Sequence, residues 1–217
     1  MPATLDFYFD VISPYVYIAE ARLRRLQQQR PGLQVRYRPI LLAGVLNRLG
    51  QLGPAEIPEK RVFTFKDVVR RCAEHRLPLT GPATHPFNPL TALRAILAAA
   101  PEERPAATGA ILRAGWADGA ELGDPAAIVA ALDAAGLPGE DLVARAGTPE
   151  IKAALAAETD AAIARGVFGV PSFAVGDDIV WGQDRLPDVE RILDGHDPVD
   201  PKWIAAFLAR PASASRR

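Results

Sequence analysis

The segment from Asp6 to Ala19 most constrains the fold of this chain. A largely apolar run, Leu5–Ile12, has the length of a strand and leads directly into Ser13 and Pro14. Proline suits the first position of a helix, where its missing N–H is not needed and its backbone angle is already helical. The segment therefore predicts a strand, a tight turn and a helix that begins at Pro14.

A second informative segment, Gly169–Phe173 with the sequence GVPSF, lies far downstream. The bond before proline is the one at which a cis peptide costs little, and the sequence leaves the isomer of the valine–proline bond open. Strand signals follow at Ser172–Val175 and Ile179–Trp181, with the short polar turn Gly176–Asp178 between them. Such a short turn predicts an antiparallel hairpin.

Strand patterns occur near both ends of the chain, and helical patterns fill the region between them. Thr4–Ile12, Pro14–Gln29 and Leu33–Pro39 predict a βαβ unit. Polar residues followed by proline predict capped helix starts at Asp124 and Thr148. The predicted helices after this unit are Val62–His75, Pro89–Ala100, Arg104–Asp118, Pro125–Ala135, Glu140–Ala146, Pro149–Arg165, Leu186–Leu193 and Pro201–Leu208.

These patterns predict an α/β protein whose single sheet is formed by two separate parts of the chain. Residues 1–40 and 147–210 supply a βαβ half and a ββα half, and residues 41–146 form an all-helical domain inserted between them. Residues 211–217 are predicted to be a disordered tail. A crevice between the sheet and the insertion is the default place for a ligand.

Composition excludes several classes of function. The chain has 217 residues, is 49% hydrophobic and carries a net charge of −1, which argues against nucleic acid or a membrane as the main partner. No export signal is visible, so a cytoplasmic protein is expected. The single cysteine, Cys72, excludes dithiol chemistry within one chain and is interpreted as a small buried residue. The three histidines and Cys72 lack the spacing of a metal site, and no metal is predicted.

The two segments around Ser13 and Pro171, together with Trp181–Leu186 (WGQDRL) and Asn88–Arg94 (NPLTALR), resemble the 2-hydroxychromene-2-carboxylate isomerase family. That family is related to the kappa-class glutathione transferases and, more remotely, to thioredoxin-like disulfide oxidoreductases, which carry cysteine where this chain has Ser13. The resemblance implies a thioredoxin-like fold, glutathione as cofactor, a small-molecule substrate and a homodimer. It also implies a glutathione-dependent cis-trans isomerase of an aromatic or conjugated α-keto acid.

Ser13 is the catalytic residue that the resemblance implies. Taken alone, a serine before a proline at a helix start is most often only an N-cap. In the family the matching hydroxyl faces the sulfur of glutathione and stabilises its thiolate. A thiol with a pKa of about 8.5 is only a few per cent ionised near neutral pH, so a hydroxyl donor and the positive end of a helix would be enough to activate it.

The resemblance also implies residues that hold glutathione. Val170, next to Pro171, pairs through its backbone with the cysteinyl residue of glutathione, although the residues alone are more typical of a proline that only shapes the turn before a strand. Asp184 and Gln183 hold the γ-glutamyl end, although an aspartate at a helix start is also common for structural reasons. Lys60 matches a lysine that binds the glycine carboxylate.

The chain departs from the family pattern in one region. Gln51 stands where asparagine is common and is still expected to contact glutathione, whereas Asn47 stands where the isomerases commonly carry lysine. Asn47 removes a charge, and the identity of the substrate is therefore open. The residues expected near the substrate are Asn47, His85, Asn88 and Tyr15, although a lone histidine in a proline-rich loop is more often structural.

Two other functions remain open at this point. A kappa-like glutathione transferase or peroxidase would use the same thiolate on a different electrophile. A thioredoxin-like scaffold without catalytic activity would have lost its redox cysteines and would not bind glutathione. Consumption of glutathione separates the first alternative from an isomerase, and a binding measurement tests the second.

Overall fold

The N-terminal strand lies at the centre of the sheet. A computed structural model describes residues 3–212, in which β1 (Thr4–Phe9) lies between β2 (Gln34–Pro39) and β3 (Ser172–Val175), with β4 (Asp178–Trp181) at the edge. β1 and β2 are parallel, and β3 is antiparallel to both β1 and β4. The predicted hairpin and the pairing of the two distant halves of the chain are therefore confirmed.

The helices of the described residues follow the predicted order, with ends that differ by a few residues. They are α1 (Pro14–Gln29), α2 (Leu42–Leu49), α3 (Pro58–His75), α4 (Leu90–Ala98), α5 (Arg104–Leu112), α6 (Pro125–Ala134), α7 (Gly139–Ala146), α8 (Pro149–Ala164), α9 (Leu186–Leu193) and α10 (Pro201–Leu208). The predicted caps form, because the side chains of Asp124, Thr148 and Asp200 each accept a hydrogen bond from the first turn of their helix.

Two parts of the helical region differ from the prediction. α2 was not predicted. Its N-cap residue, Leu41, has no polar side chain, so the sequence lacks the usual local signal for the start of a helix. The predicted helix Arg104–Asp118 ends as an α-helix at Leu112 and continues as a π-helical turn, Arg113–Ala117. A π turn depends on tertiary contacts more than on the apolar spacing from which the helix was predicted.

One face of the sheet is an aromatic core. Phe7 lies 5.2 Å from Phe9 and 5.3 Å from Phe173 between ring centroids, and Tyr37 packs edge-on against Phe7 at 5.4 Å. Phe7, Phe9 and Phe173 are fully buried, as the alternation of side chains along strands requires. Burial of each such ring stabilises the fold by about 1.5–3 kcal/mol, so this cluster holds β1, β2 and β3 together.

The opposite face of β1 carries a buried carboxylate. Asp6 is 1% exposed and accepts hydrogen bonds from Arg36 and Arg165 at 2.6–2.7 Å and from Arg38 at 3.2 Å. Burial alone would raise the pKa of Asp6, but the three arginines outweigh burial and lower it. Because Arg165 directly follows α8, this cluster fastens α8 to the sheet.

All four strands lie outside residues 41–146, the range predicted to be a helical insertion, and α2–α7 lie within that range. The division into units with these boundaries stays a prediction. Most of the predicted tail, residues 213–217, lies outside the described residues. In the described part of the chain, no helix combines the length and apolar character needed to cross a bilayer.

Cys72 is the small buried residue that the sequence predicts. Its side chain is 2% exposed and packs in the main hydrophobic cluster. Burial raises the pKa of this thiol to about 11, which keeps it protonated and unreactive near neutral pH.

Asp10 joins the end of β1 to the helical region. Its carboxylate is fully buried and accepts hydrogen bonds from Ile12 N at 3.1 Å and from Leu42 N, at the start of α2, at 2.8 Å. Burial raises the pKa of Asp10 to about 7, and the two backbone donors only partly oppose this effect. The folded protein therefore holds a proton on Asp10 in a pH range in which the unfolded chain has released it.

We expect the stability contributed by Asp10 to decrease with rising pH. A raised folded-state pKa gives stability that is fully present below the ordinary value of 3.8 and is lost as the pH rises towards about 7. Relative to Asp10→Asn, the free energy of unfolding of the wild type should fall across this window by at most about 4 kcal/mol. Urea unfolding at several pH values measures the difference, with Asp124→Asn as control for an exposed capping carboxylate. Parallel pH profiles of wild type and Asp10→Asn would contradict the assignment.

Candidate functional site

Ser13 occupies the N-cap position of α1, but its side chain does not cap the helix. Its backbone is extended, with φ −90° and ψ 121°, and its N–H donates to Asp10 O at 3.1 Å. Val16 N, which an N-cap hydroxyl often binds, donates instead to the carbonyl of Ser13 at 3.0 Å. Within residues 3–212 the hydroxyl forms no hydrogen bond. It is therefore available to donate to a group at the positive end of α1.

The backbone of the turn before Ser13 is held by side chains from the helical region. Trp116 Nε1 donates to Val11 O at 3.0 Å, and His85 Nε2 lies 3.1 Å from Ile12 O. Together with the bond from Ile12 N to Asp10, these contacts pair the N–H of Ile12 and the carbonyls of Val11 and Ile12. The position of Ser13 is thus determined by residues that are distant in sequence.

The loop that contains Pro171 lies at the same end of the sheet as Ser13. The peptide bond between Val170 and Pro171 is cis. β1 and β3 pair as far as Tyr8 and Ser172, and continuing this register places Val170 opposite Asp10. In the described residues neither the N–H nor the carbonyl of Val170 has a hydrogen-bond partner. An extended peptide could therefore pair with this residue.

Gly169, before this loop, is required by a close approach. A Cβ at this position would lie 2.8 Å from Trp181 Nε1, so the indole would have to shift to make room for it. The indole of Trp181 also packs edge-on against Phe168, with 5.2 Å between ring centroids. Trp181 of β4 therefore packs against the residues that lead into the loop, Phe168 and Gly169.

Gln183 and Asp184 follow β4 after Gly182, in a short 3-10 helix, Gln183–Arg185, that continues into α9. The Gln183 side chain is buried, and both its Oε1, at 3.0 Å, and its backbone carbonyl accept hydrogen bonds from Arg22 on α1. The oxygen of this amide is thus already used within the protein. Asp184 is exposed, and its nearest cationic partner is its neighbour Arg185, at 3.4 Å.

Tyr15 connects the first turn of α1 to α3. Its hydroxyl donates to Asp67 Oδ2 at 3.0 Å. Burial, this hydrogen bond and the negative charges of Asp67 and Asp184 raise the pKa of Tyr15, so the phenol stays protonated. Because Arg22 of α1 binds Gln183, the adjacent Asp184, which is predicted to bind the γ-glutamyl end, lies beside α1.

Three predicted residues have exposed side chains on or next to α2 and α3. Asn47 is exposed in the last turn of α2, Gln51 is exposed just after α2, and Lys60 is exposed in the first turn of α3. No hydrogen bond among the described residues joins any of them to Ser13. Their predicted roles towards glutathione and substrate stay predictions.

The two remaining predicted substrate residues differ in their surroundings. Asn88 Oδ1 accepts a hydrogen bond from Leu90 N at 3.0 Å, so this side chain supports the start of α4. His85 lines a pocket of about 330 Å³ whose walls include Phe65, Leu79 and Trp116. Because His85 also contacts Ile12, this pocket shares a wall with the turn that carries Ser13.

The sequence analysis missed Asp10, Trp116 and Arg22. Asp10 interrupts an apolar run at the end of a strand, and a lone acid in such a run was a usable signal. Trp116 and Arg22 lie in segments whose periodicity is ordinary for helices, so no local pattern marks them. The described residues contain no group of three or more histidine, cysteine, aspartate or glutamate side chains that could bind a metal ion.

Comparisons with known proteins agree with this geometry. A profile of the DSBA-like thioredoxin domain matches residues 4–194. The 2-hydroxychromene-2-carboxylate isomerase of Sphingobium xenophagum is 31% identical over 195 residues, which cover 89% of this chain and 99% of that protein. Human glutathione S-transferase kappa 1 is 26% identical over 208 residues, covering 89% of this chain and 92% of that protein.

A solved structure of a 2-hydroxychromene-2-carboxylate isomerase is also similar. It superimposes with a TM-score of 0.79 at 27% identity, covering 95% of this chain and all of that one. The extent of the match includes both halves of the sheet and the helices between them. This chain belongs to the 2-hydroxychromene-2-carboxylate isomerase family of DSBA-like thioredoxin-domain proteins.

Proposed function

We propose that this protein is a glutathione-dependent cis-trans isomerase of an aromatic or conjugated α-keto acid related to 2-hydroxychromene-2-carboxylate. The observation that carries the proposal is Ser13, a residue 8% exposed at the start of a 16-residue helix whose hydroxyl is not used as a cap. A hydroxyl donor in this position stabilises an anion, because the helix N-terminus carries partial positive charge. The names of the isomerase and kappa-class relatives support both the reaction and the cofactor.

Two features at the sheet end support glutathione as the ligand. The unpaired backbone groups of Val170 suit one residue of an extended peptide, and the exposed Asp184 suits the amino group of the γ-glutamyl end. Lys60, exposed on α3, would hold the glycine carboxylate, with Gln51 as a neighbouring amide. The Oε1 of Gln183 already accepts a hydrogen bond from Arg22, so its amide nitrogen would be the side-chain atom that contacts glutathione.

When bound, glutathione would supply a thiolate nucleophile for reversible addition to the conjugated double bond of the substrate, and it would leave the reaction unchanged. The protein lowers the cost of ionising this thiol through the Ser13 hydroxyl and α1. The protonated phenol of Tyr15 stays neutral beside this site. The pocket beside His85 would receive the apolar part of the substrate.

Three broader features belong to the same proposal. We propose that residues 41–146 act as a helical insertion that covers the substrate side of the sheet. A cytoplasmic location suits a reaction that draws on the glutathione pool. A homodimer is supported by the exposed apolar side chains of α3, Val62, Phe63 and Val69.

A second candidate function is a kappa-like glutathione transferase or peroxidase, which the similarity to human glutathione S-transferase kappa 1 favours. Assays with a conjugated α-keto acid, an aryl halide and an organic hydroperoxide distinguish the two. An isomerase converts its substrate without net loss of glutathione, whereas the alternatives consume it in proportion to product. Absence of glutathione binding at millimolar concentration would exclude both functions.

Replacement of Ser13 by alanine should reduce turnover far more than glutathione affinity. A hydrogen bond to a charged partner contributes about 1.5–3 kcal/mol, so kcat should fall by about 10- to 100-fold. Ser13→Thr, which keeps the hydroxyl, is the matched comparison and should retain more activity. Steady-state kinetics and calorimetric titration with glutathione measure the two quantities. Equal turnover of Ser13→Ala and wild type would refute the assigned role.

Replacement of Asp184 by asparagine should weaken glutathione binding by about tenfold, because the ammonium group loses its charged partner. The kcat at saturating glutathione should change little. Asp188→Asn removes a nearby exposed carboxylate of α9 and serves as control. Calorimetric titration gives the dissociation constants, and equal affinities of the two variants would argue against Asp184 as a ligand.

A further inference from the structure

Two side chains of the helical region hold successive carbonyls immediately before Ser13. Trp116 binds Val11 O, and His85 binds Ile12 O, at 3.0 and 3.1 Å. A carbonyl oxygen can only accept, so Nε2 of His85 is the nitrogen that carries the proton. The N–H of Ser13 itself closes the turn onto Asp10 O. The backbone of Ser13 is therefore held by its own hydrogen bond to Asp10 and by the bonds to the two residues before it.

Trp116 is anchored independently of this contact. It lies in the π-helical turn Arg113–Ala117 and is 1% exposed. Its own carbonyl accepts from both Thr80 N and Gly81 N, each at 2.9 Å. A buried residue that is fixed through its backbone can hold another segment through its side chain with little freedom of movement. π turns are frequent at functional sites, where they place a side chain that a regular helix would direct elsewhere.

His85 is also suited to hold a backbone group. Its ring packs edge-on against Phe65 and Trp116, with centroid distances of 5.2 and 5.6 Å. Its Nδ1 is buried without a partner in the described part of the chain. Burial lowers the pKa of His85, so the ring is neutral near pH 7 and Nδ1 carries no proton. The hydrogen bond to Ile12 is the polar contact that this ring makes.

We propose that Trp116 and His85 are positioning residues that set the place of the Ser13 hydroxyl through the carbonyls of Val11 and Ile12. The inference rests on the proposed function, in which this hydroxyl donates to the sulfur of glutathione. Stabilisation of an anion by a single donor depends steeply on geometry, and small displacements of such a group are costly. The helical region would thereby act on catalysis without touching the sulfur.

Trp116→Phe tests the first contact, because it keeps a buried aromatic ring but removes the indole N–H. We expect kcat to fall about tenfold while the KM for glutathione changes less than about twofold. The pKa of the bound thiol, followed through the ultraviolet absorbance of the thiolate, should rise by about half a unit or more. Trp203→Phe makes the same chemical change at an exposed position of α10 and should alter none of these.

His85→Gln and His85→Leu test the second contact as a pair. The glutamine amide nitrogen can donate from nearly the position of the imidazole Nε2, whereas leucine fills space without a donor. His85→Gln should therefore lose less kcat than His85→Leu and should show the smaller rise in thiol pKa. Equal losses in the two variants would mean that packing, rather than the bond to Ile12, is what matters, and would overturn the role of His85.

Amide hydrogen exchange gives a readout that does not depend on glutathione. In Trp116→Phe and His85→Leu, the amides of Ile12, Ser13 and Val16 should exchange faster relative to those of β3, which report the stability of the sheet. If the wild type fails to bind glutathione, the proposed function is wrong and exchange alone decides the positioning role. Unchanged exchange in the turn, or an equal increase throughout the sheet, would refute the inference.

Discussion

The backbone between β1 and α1 must leave the centre of the sheet and enter a helix within a few residues, and Asp10 and Val11 in this turn are fully buried. A buried carbonyl or N–H without a partner costs about 1–3 kcal/mol, so hydrogen bonds to this turn stabilise the fold. Asp10 binds the N–H of Ile12, Trp116 binds the carbonyl of Val11, and His85 binds the carbonyl of Ile12. Asp10 also binds Leu42 N, which ties the start of the helical region to the sheet.

The start of α1 does not require the Ser13 hydroxyl as a cap. Pro14 has no N–H, and the N–H of Val16 is already bonded to the Ser13 carbonyl, so the hydroxyl remains without an intrahelical partner. The chain's own thiol, Cys72, is buried with a raised pKa and is not suited to act as a nucleophile. The protein thus offers the Ser13 hydroxyl as a hydrogen-bond donor but no reactive thiol. This arrangement is expected of a protein that uses the sulfur of a bound thiol.

The sheet and several helix starts could be predicted because their signals are local. For the strands, the signals are the alternation of side chains and the short turn at Gly176–Asp178. For the helices, they are the polar caps at Asp124 and Thr148, each followed by a proline. The predictions failed where structure depends on distant contacts. α2 lacks a polar cap, and the π turn contains Trp116, whose indole N–H donates to the distant carbonyl of Val11.

By itself, the sequence determined that a serine stands at the start of α1 and that a valine–proline loop precedes β3, because backbone preferences of proline and short turns act on neighbouring residues. Only the tertiary structure decided what surrounds that serine. Asp10, His85, Trp116 and Arg22 meet partners far away along the chain, and such pairs leave no periodic pattern. Burial, which raises the pKa of Asp10 and lowers that of His85, exists only once these segments are packed together.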